Sequence, residues 1–181
     1  MARGSEGFAA KMDYKIETDM PGINQALFQV THGLYILTSK SGERINGQCL
    51  DALMQVTNMP PRIAIGVGKR TLTHEMIMES GMFVANAIDK DCGDCYADVK
   101  RFGFQSGRKV DKFADRKYEP GELGAPILPE SKAFYECRVI RDKTLDLGTH
   151  TLFVADVVRA GTHDAGEPLT YNEYRKIMKK K

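Results

Sequence analysis

Hydrophobic positions in this chain come in short runs separated by Gly, Pro and charged residues. Leu34 to Thr38 is one such run, and Ser41-Gly42 follows it, which predicts a buried strand and a turn. Ile45 to Leu50 then returns as the second strand of a hairpin. Pro60-Pro61 marks a hard boundary, because proline lacks the N–H that a helix interior or central strand needs. Arg62 to Val67 alternates β-branched and small residues and predicts a third strand, with Gly66 and Gly68 signalling close backbone approach. Glu75 to Ser80 predicts a short helix, with threonine N-cap candidates before it and Gly81 behind it. Met82 to Ile88 predicts a strand, and Ala97 to Phe102 a helical turn or short helix. Residues 103–130 are rich in Gly, Pro and charge and predict a long surface excursion, a kind of segment that usually carries function. Ala133 to Ile140 and Thr149 to Val158 complete the strands, and Thr170 with Glu173 has the spacing of a capping box opening a helix near Tyr171.

Six strands and two or three short helices, without helices alternating between strands, predict a mainly β antiparallel barrel or sandwich. A doubly wound dinucleotide fold is excluded, and Gly66-Val67-Gly68 lacks the third glycine of its fingerprint. Residues 1–12 read as a flexible leader and residues 13–181 as a single domain. A hydrophobic content of 42% suffices for a core without disulfide staples. The charge balance, 26 − 24 = +2, gives no broad footprint for nucleic acid. The basic end at Arg175, Lys176 and Lys179 to Lys181 reads as a solvated helix face. No signal peptide and no membrane span are visible, so the expectation is a cytoplasmic protein whose four cysteines are thiols.

Three groups of residues could carry chemistry. Lys69 and Arg70 precede Thr71, Thr73 and His74 at a helix start, where free N–H groups and the positive dipole end favour a phosphate. A plain N-cap with two surface cations is the other reading. Cys92-Gly93-Asp94-Cys95 is a C-x-x-C pair, open to a redox role, half of a zinc site, or a non-catalytic metal- or thiol-switch module. His150 is either a structural strand histidine or a site residue able to bond a ligand or move a proton.

The spaced string Asn46-Gly47, then Gln55-Val56-Thr57 with Pro60-Pro61, then Thr73-His74-Glu75 resembles the flavin-reductase-like, FMN-binding split-barrel family. Arg101-Phe102-Gly103-Phe104, Ser106-Gly107-Arg108, Val110-Asp111-Lys112-Phe113, Gly124 to Ile127, Gly148 to Phe153 and Pro168 to Tyr171 continue the likeness. It is closest to the flavoredoxin-like branch and to the flavin-reductase half of rubredoxin-bearing proteins. The resemblance implies an antiparallel six-stranded Greek-key split β-barrel, a homodimer, and FMN reduced by NADH or NADPH. It places the isoalloxazine along Asn46, Gly47, Gln48, Cys49, Leu50, Asp51 and Ala52, and the phosphate near Thr57, Lys69, Thr71, Thr73 and His74. It makes His150 a site residue of undecided role. Arg101, Phe102 and Arg108 read as a lid over the flavin, or as a surface loop with one buried Phe. Electrons would pass to free flavin or to a partner protein such as rubredoxin or ferredoxin. A carrier reduced by such a partner is the alternative. Asp51 departs from the family pattern and would disfavour an anionic reduced ring by charge repulsion.

Overall fold

The computed structural model describes residues 14–93 and 95–178, without the Cys95 side chain. The leader reading of residues 1–12, the tail lysines Lys179 to Lys181 and half of the Cys92–Cys95 pair therefore lie outside the described residues. The chain divides into two compact units, Met1–Thr31 and His32–Lys181. In the first, Met20–Leu27 forms helix α1, capped by Asp19, whose Oδ1 accepts from the Gly22 N–H at 2.9 Å. An Asp cap with Pro in the first turn is a readable helix start that the apolar-run pattern passes over.

The second unit is an antiparallel sheet. Strands β1 (Tyr35–Ser41) and β2 (Arg44–Leu50) form the expected hairpin, its turn opened by Gly42 at φ +56°. β3 (Leu53–Asn58) and β4 (Pro61–Gly68) form a second hairpin. Helix α2 (Leu72–Ser80) leads to β5 (Met82–Ala87) and α3 (Cys95–Phe104). The short strands β6 (Glu119–Pro120) and β7 (Pro126–Ile127) pair within the excursion. β8 (Ala133–Val139), the two-residue β9 (Leu145–Asp146), β10 (His150–Thr162) and α4 (Tyr171–Met178) complete the chain.

The strand order is β2-β1-β5-β8-β10-β4-β3. The six strands read from the apolar pattern are β1, β2, β4, β5, β8 and β10, and each contributes to one buried cluster that includes Leu37, Leu50, Ile65, Phe83, Cys137 and Phe153. Beyond β2, the Ala52 carbonyl accepts from Gly66 N–H of β4 at 2.9 Å, so first and last of the six meet at that corner. A sheet whose ends meet around a single core is a barrel, here split because the junction is local. β3 is a seventh strand on the edge beyond β4; its nearness to Pro60-Pro61 hides it from a sequence reading.

Side-chain alternation makes two cores. Leu37 and Leu50 point into the barrel, while their neighbours Ile36 and Cys49 point out under α3 and α4. There Val99, Phe102, Phe113, Leu169 and Tyr174 cover them. Ile77 of α2 joins the barrel cluster. The Thr170–Glu173 capping box is formed, Thr170 N–H donating to Glu173 Oε2 at 3.0 Å and Glu173 N–H to Thr170 Oγ1 at 3.2 Å. No helix among the described residues is long and apolar enough to cross a membrane.

Candidate functional site

Strand β2 lies between the start of α2 and the end of α3, and its two faces are used differently. Asn46, on the α2 side, is 4% exposed and donates from Nδ2 to Thr73 Oγ1 at 2.9 Å, with Thr73 wholly buried. Thr71 caps α2: its Oγ1 accepts from His74 N–H at 3.2 Å, and Gly81 ends the helix at φ +69°. On the opposite face Gly47 leaves room for Phe102, whose ring a Cβ there would meet at 3.0 Å. Gly107 packs on Asn46 so closely that a Cβ there would clash with Asn46 Oδ1.

These elements enclose a cavity of about 360 Å3. Asn46, Gln48, Cys49, Thr71, Thr73 and Phe102, all foreseen as site residues, line it together with Arg70, Phe104, Gly107 and Lys112. The excursion supplies the far wall. Its hook is Arg116, which binds Asp98 of α3 at 2.9 Å and Glu130 at 2.8 Å. The excursion expected of residues 103–130 is largely exposed, and it is anchored by buried Lys112, Phe113, Ala125, Ile127 and Leu128.

Lys112 is the residue the sequence reading passed over. It is 4% exposed, and its Nζ donates to the Gly47 carbonyl at 2.9 Å and the Phe102 carbonyl at 3.2 Å. Burial pulls its ammonium down to about 8. The signal in sequence was a lysine flanked by Val110 and Phe113 within a quoted block, with nothing local to say that it turns inward. Cys49 is the reverse case. Burial, helped by the Asp51 carboxylate, pushes its thiol up to about 12, so it is a neutral wall group rather than a thiolate.

Two features of the residues around the cavity bear on what it could hold. Gln48 Oε1 is buried without a hydrogen-bond partner, alone in this among the described side chains. Such an acceptor costs free energy until a donor reaches it. Arg70 is exposed at the cavity and its side chain has no ion pair or hydrogen bond among the described residues. A phosphate-bearing ligand with N–H groups fits both, and FMN has both kinds of group.

The other expected residues do not line this cavity. Leu50 is in the barrel core, Asp51 borders a neighbouring cavity of about 190 Å3, and Ala52 closes the barrel corner. Lys69 pairs with Asp146. The His74 ring turns to Thr151, Nε2 to Oγ1 2.8 Å, and burial followed by the Lys69 charge lowers its pKa, favouring the neutral imidazole. Thr57 sits in the β3–β4 hairpin with its hydroxyl donating to the Pro60 carbonyl, and is not brought to this cavity. Arg101 binds Asp115, and Arg108 binds Glu75 at 2.8 Å. Phe102 is 1% exposed, a core ring in the cavity wall; Phe104, 77% exposed, is the open aromatic at the mouth. His150 is exposed, paired across the sheet with Gly68, and its Nδ1 lies 2.9 Å from Thr149 Oγ1. Among the described residues no group of three or more His, Cys, Asp or Glu is placed to hold a metal ion.

Comparison with known proteins matches residues 27–178 to the family described as flavin reductase like domain. The chain is 38% identical over 156 residues to the high molecular weight rubredoxin of Moorella thermoacetica, covering 86% of this chain and 66% of that protein. It thus spans slightly less than two thirds of that relative. It is 34% identical over 157 residues to a ferric-chelate reductase (NAD(P)H) of Archaeoglobus fulgidus, covering 86% and 90% of the two chains. Among solved structures, flavoredoxin from Methanosarcina acetivorans superposes with TM-score 0.71 at 28% identity, over 83% of this chain and 76% of that one.

Proposed function

This chain belongs to the flavin reductase like domain family, and from that premise we propose that it is an FMN-dependent NAD(P)H oxidoreductase. The observation that carries the reading is the cavity lined by Gln48, whose buried Oε1 lacks a partner, and by the unpaired Arg70, with Asn46, Thr73 and Lys112 buried beside them. Arg70, Thr71, Thr73 and the first-turn N–H groups of α2, which have no acceptor inside the helix, hold the phosphate. Gln48, Lys112 and the β2 backbone hold the polar edge of the ring, and Phe102 with the Gly103–Gly107 segment excludes water from it. When bound, FMN supplies the hydride acceptor for NADH or NADPH and the electron donor for the next carrier. His150, whose Nε2 has no partner among the described residues, orients the nicotinamide or moves a proton beside the Arg70 segment.

The test is an anaerobic titration of the purified protein with NADH and NADPH, read by the flavin absorbance. Bleaching of a yellow protein is expected. A protein that neither binds FMN nor oxidises either nucleotide would sink the reading. A second reading rests on the Moorella relative, named as a rubredoxin and longer than the matched region. There the chain is a carrier reduced by a redox partner protein such as rubredoxin or ferredoxin. Flavin bleached by that partner and untouched by NAD(P)H would select it.

Two further parts belong to the proposal. The chain works as a homodimer through the open edge of β3, where Met54, Val56 and Met59 are exposed. Light scattering of a Val56→Asp variant, expected to be monomeric, tests this. The compartment is a reducing cytoplasm, in keeping with free thiols at Cys49, Cys92 and Cys137.

A further inference from the structure

Three charged side chains are buried among the described residues: Asp98, Lys112 and Glu136. Two of them have an opposite charge in contact. Asp98 meets Arg116 at 2.9 Å, and Glu136 meets Arg159 at 2.8 Å. Lys112 makes no ion pair among the described residues. Glu43 and Asp111 border an adjoining cavity of about 400 Å3 together with it, but Asp111 turns to the Phe113 N–H, which it accepts at 2.8 Å. Burial lowers the Lys112 pKa, and no carboxylate contributes to hold it up.

The Lys112 ammonium has three N–H donors. The Gly47 and Phe102 carbonyls accept from it at 2.9 and 3.2 Å. Those oxygens answer hydrogen bonds and leave the charge uncompensated. A buried cation is ordinarily paired, because an isolated charge is costly in a low dielectric. The same low dielectric strengthens its attraction for an anion beside it. Lys112 lines the cavity of about 360 Å3 to which the flavin reading assigns the ring.

Reduction creates such an anion. Hydride from NADH or NADPH brings two electrons and one proton to the neutral ring, which becomes a monoanion as the donor leaves as NAD(P)+. Two electrons from a protein donor with one proton from water give the same charge. The phosphate is answered elsewhere, by Arg70 and the start of α2. Asp51 acts against the anion, but it is half-buried at the cavity of about 190 Å3, and solvent screens it more than an ammonium that is 4% exposed.

We propose that Lys112 is the counter-charge of the reduced ring, holding reduced FMN more tightly than oxidised FMN and so raising the reduction potential of the bound cofactor. This deepens the flavin reading and rests on it.

The experiment measures two quantities on the full chain: the potential of bound FMN, by anaerobic equilibration with redox dyes, and the affinity for oxidised FMN, by fluorescence titration. Wild type is compared with Lys112→Gln, which keeps an N–H donor and removes the charge, and with Lys112→Arg, which keeps the charge. Near-ultraviolet circular dichroism establishes that each variant is folded. Lys112→Gln should weaken reduced FMN about tenfold more than oxidised FMN, which lowers the two-electron potential by about 30 mV, and Lys112→Arg should restore most of it. A side chain that only ties Gly47 to Phe102 would weaken both oxidation states alike, so an unchanged potential in Lys112→Gln overturns the proposal. Wild type decides even if neither variant folds. It should bind reduced FMN more tightly than oxidised FMN, and the reverse order overturns the proposal. A wild type that binds no FMN removes the flavin reading and this inference together, whereas FMN binding with the reverse order removes this inference alone.

Discussion

The two walls of the cavity are built by different physics. The wall made by β2 and the start of α2 is locally coded. Strand alternation sends Asn46 towards Thr73 and Cys49 the other way, and Thr71 caps the helix that follows β4 within a few residues. The opposite wall, from Phe102 through Lys112, is irregular and is held by contacts remote in sequence. Lys112 reaches Gly47, and Arg116 ties the loop to Asp98 and Glu130. A locally coded wall should lose stability in small increments. A wall hung on buried ionic contacts should fail at its hooks.

The strongest way to break this contrast is Arg116→Ala. Asp98 is 7% exposed and would be left a buried carboxylate without its cation. A stability loss of about 3–5 kcal/mol is expected from urea unfolding, with weakened FMN binding as the wall detaches. A loss below about 1 kcal/mol would mean that the apolar contacts of Phe113 and Leu128 hold the wall unaided.

Lys112→Met probes the same wall from inside. FMN affinity should fall about tenfold at pH 7, as one charge-assisted interaction is removed. Its pH signature is more specific. Burial puts the folded-state pKa near 8, below that of the unfolded chain, so the fold disfavours the charged form. That penalty is fully present below pH 8 and is relieved as the pH rises from 8 towards the unfolded pKa, so stability gains there. The attraction of the cation for an anionic ligand is lost over the same rise. Wild type should therefore show stability increasing and FMN affinity decreasing above pH 8, measured by denaturant midpoint and fluorescence titration. Both trends should be missing from Lys112→Met, and their survival there would assign them to another group.

The smallest expected effect is on the coded wall. Thr71→Ala removes the N-cap of α2 and should cost about 1 kcal/mol, with Thr71→Ser restoring most of it. If Thr71→Ala proved as damaging as Arg116→Ala, the distinction between the walls would collapse.

Much of the fold was legible because it rests on short-range rules. The six barrel strands, the Gly42 turn, the Thr71 and Gly81 caps and the Thr170–Glu173 box all answer to residue types a few positions apart. β3 was not legible, since Met54, Gln55 and Val56 show no buried face to read. Within the site, Asn46, Gln48, Cys49, Thr71, Thr73 and Phe102 were nominated from spacing and resemblance and do share one cavity. Thr57 stands next to Pro60-Pro61 in sequence, and its hydroxyl stays in that hairpin. Arg101 and Arg108, read as a lid over the flavin or as a surface loop, are engaged by Asp115 and Glu75.

The sequence by itself determined the six barrel strands, the Thr71, Gly81 and Thr170 caps and the basic, hydroxyl-bearing start of α2, because alternation and capping are decided by neighbours along the chain. Only the tertiary structure decided that Lys112 turns inward, that Gly107 seats against Asn46 and that Gln48 keeps a buried oxygen without a donor. Those facts depend on which segment packs over β2. Burial and hydrogen-bond satisfaction are properties of a whole enclosure, and no run of residues carries them alone.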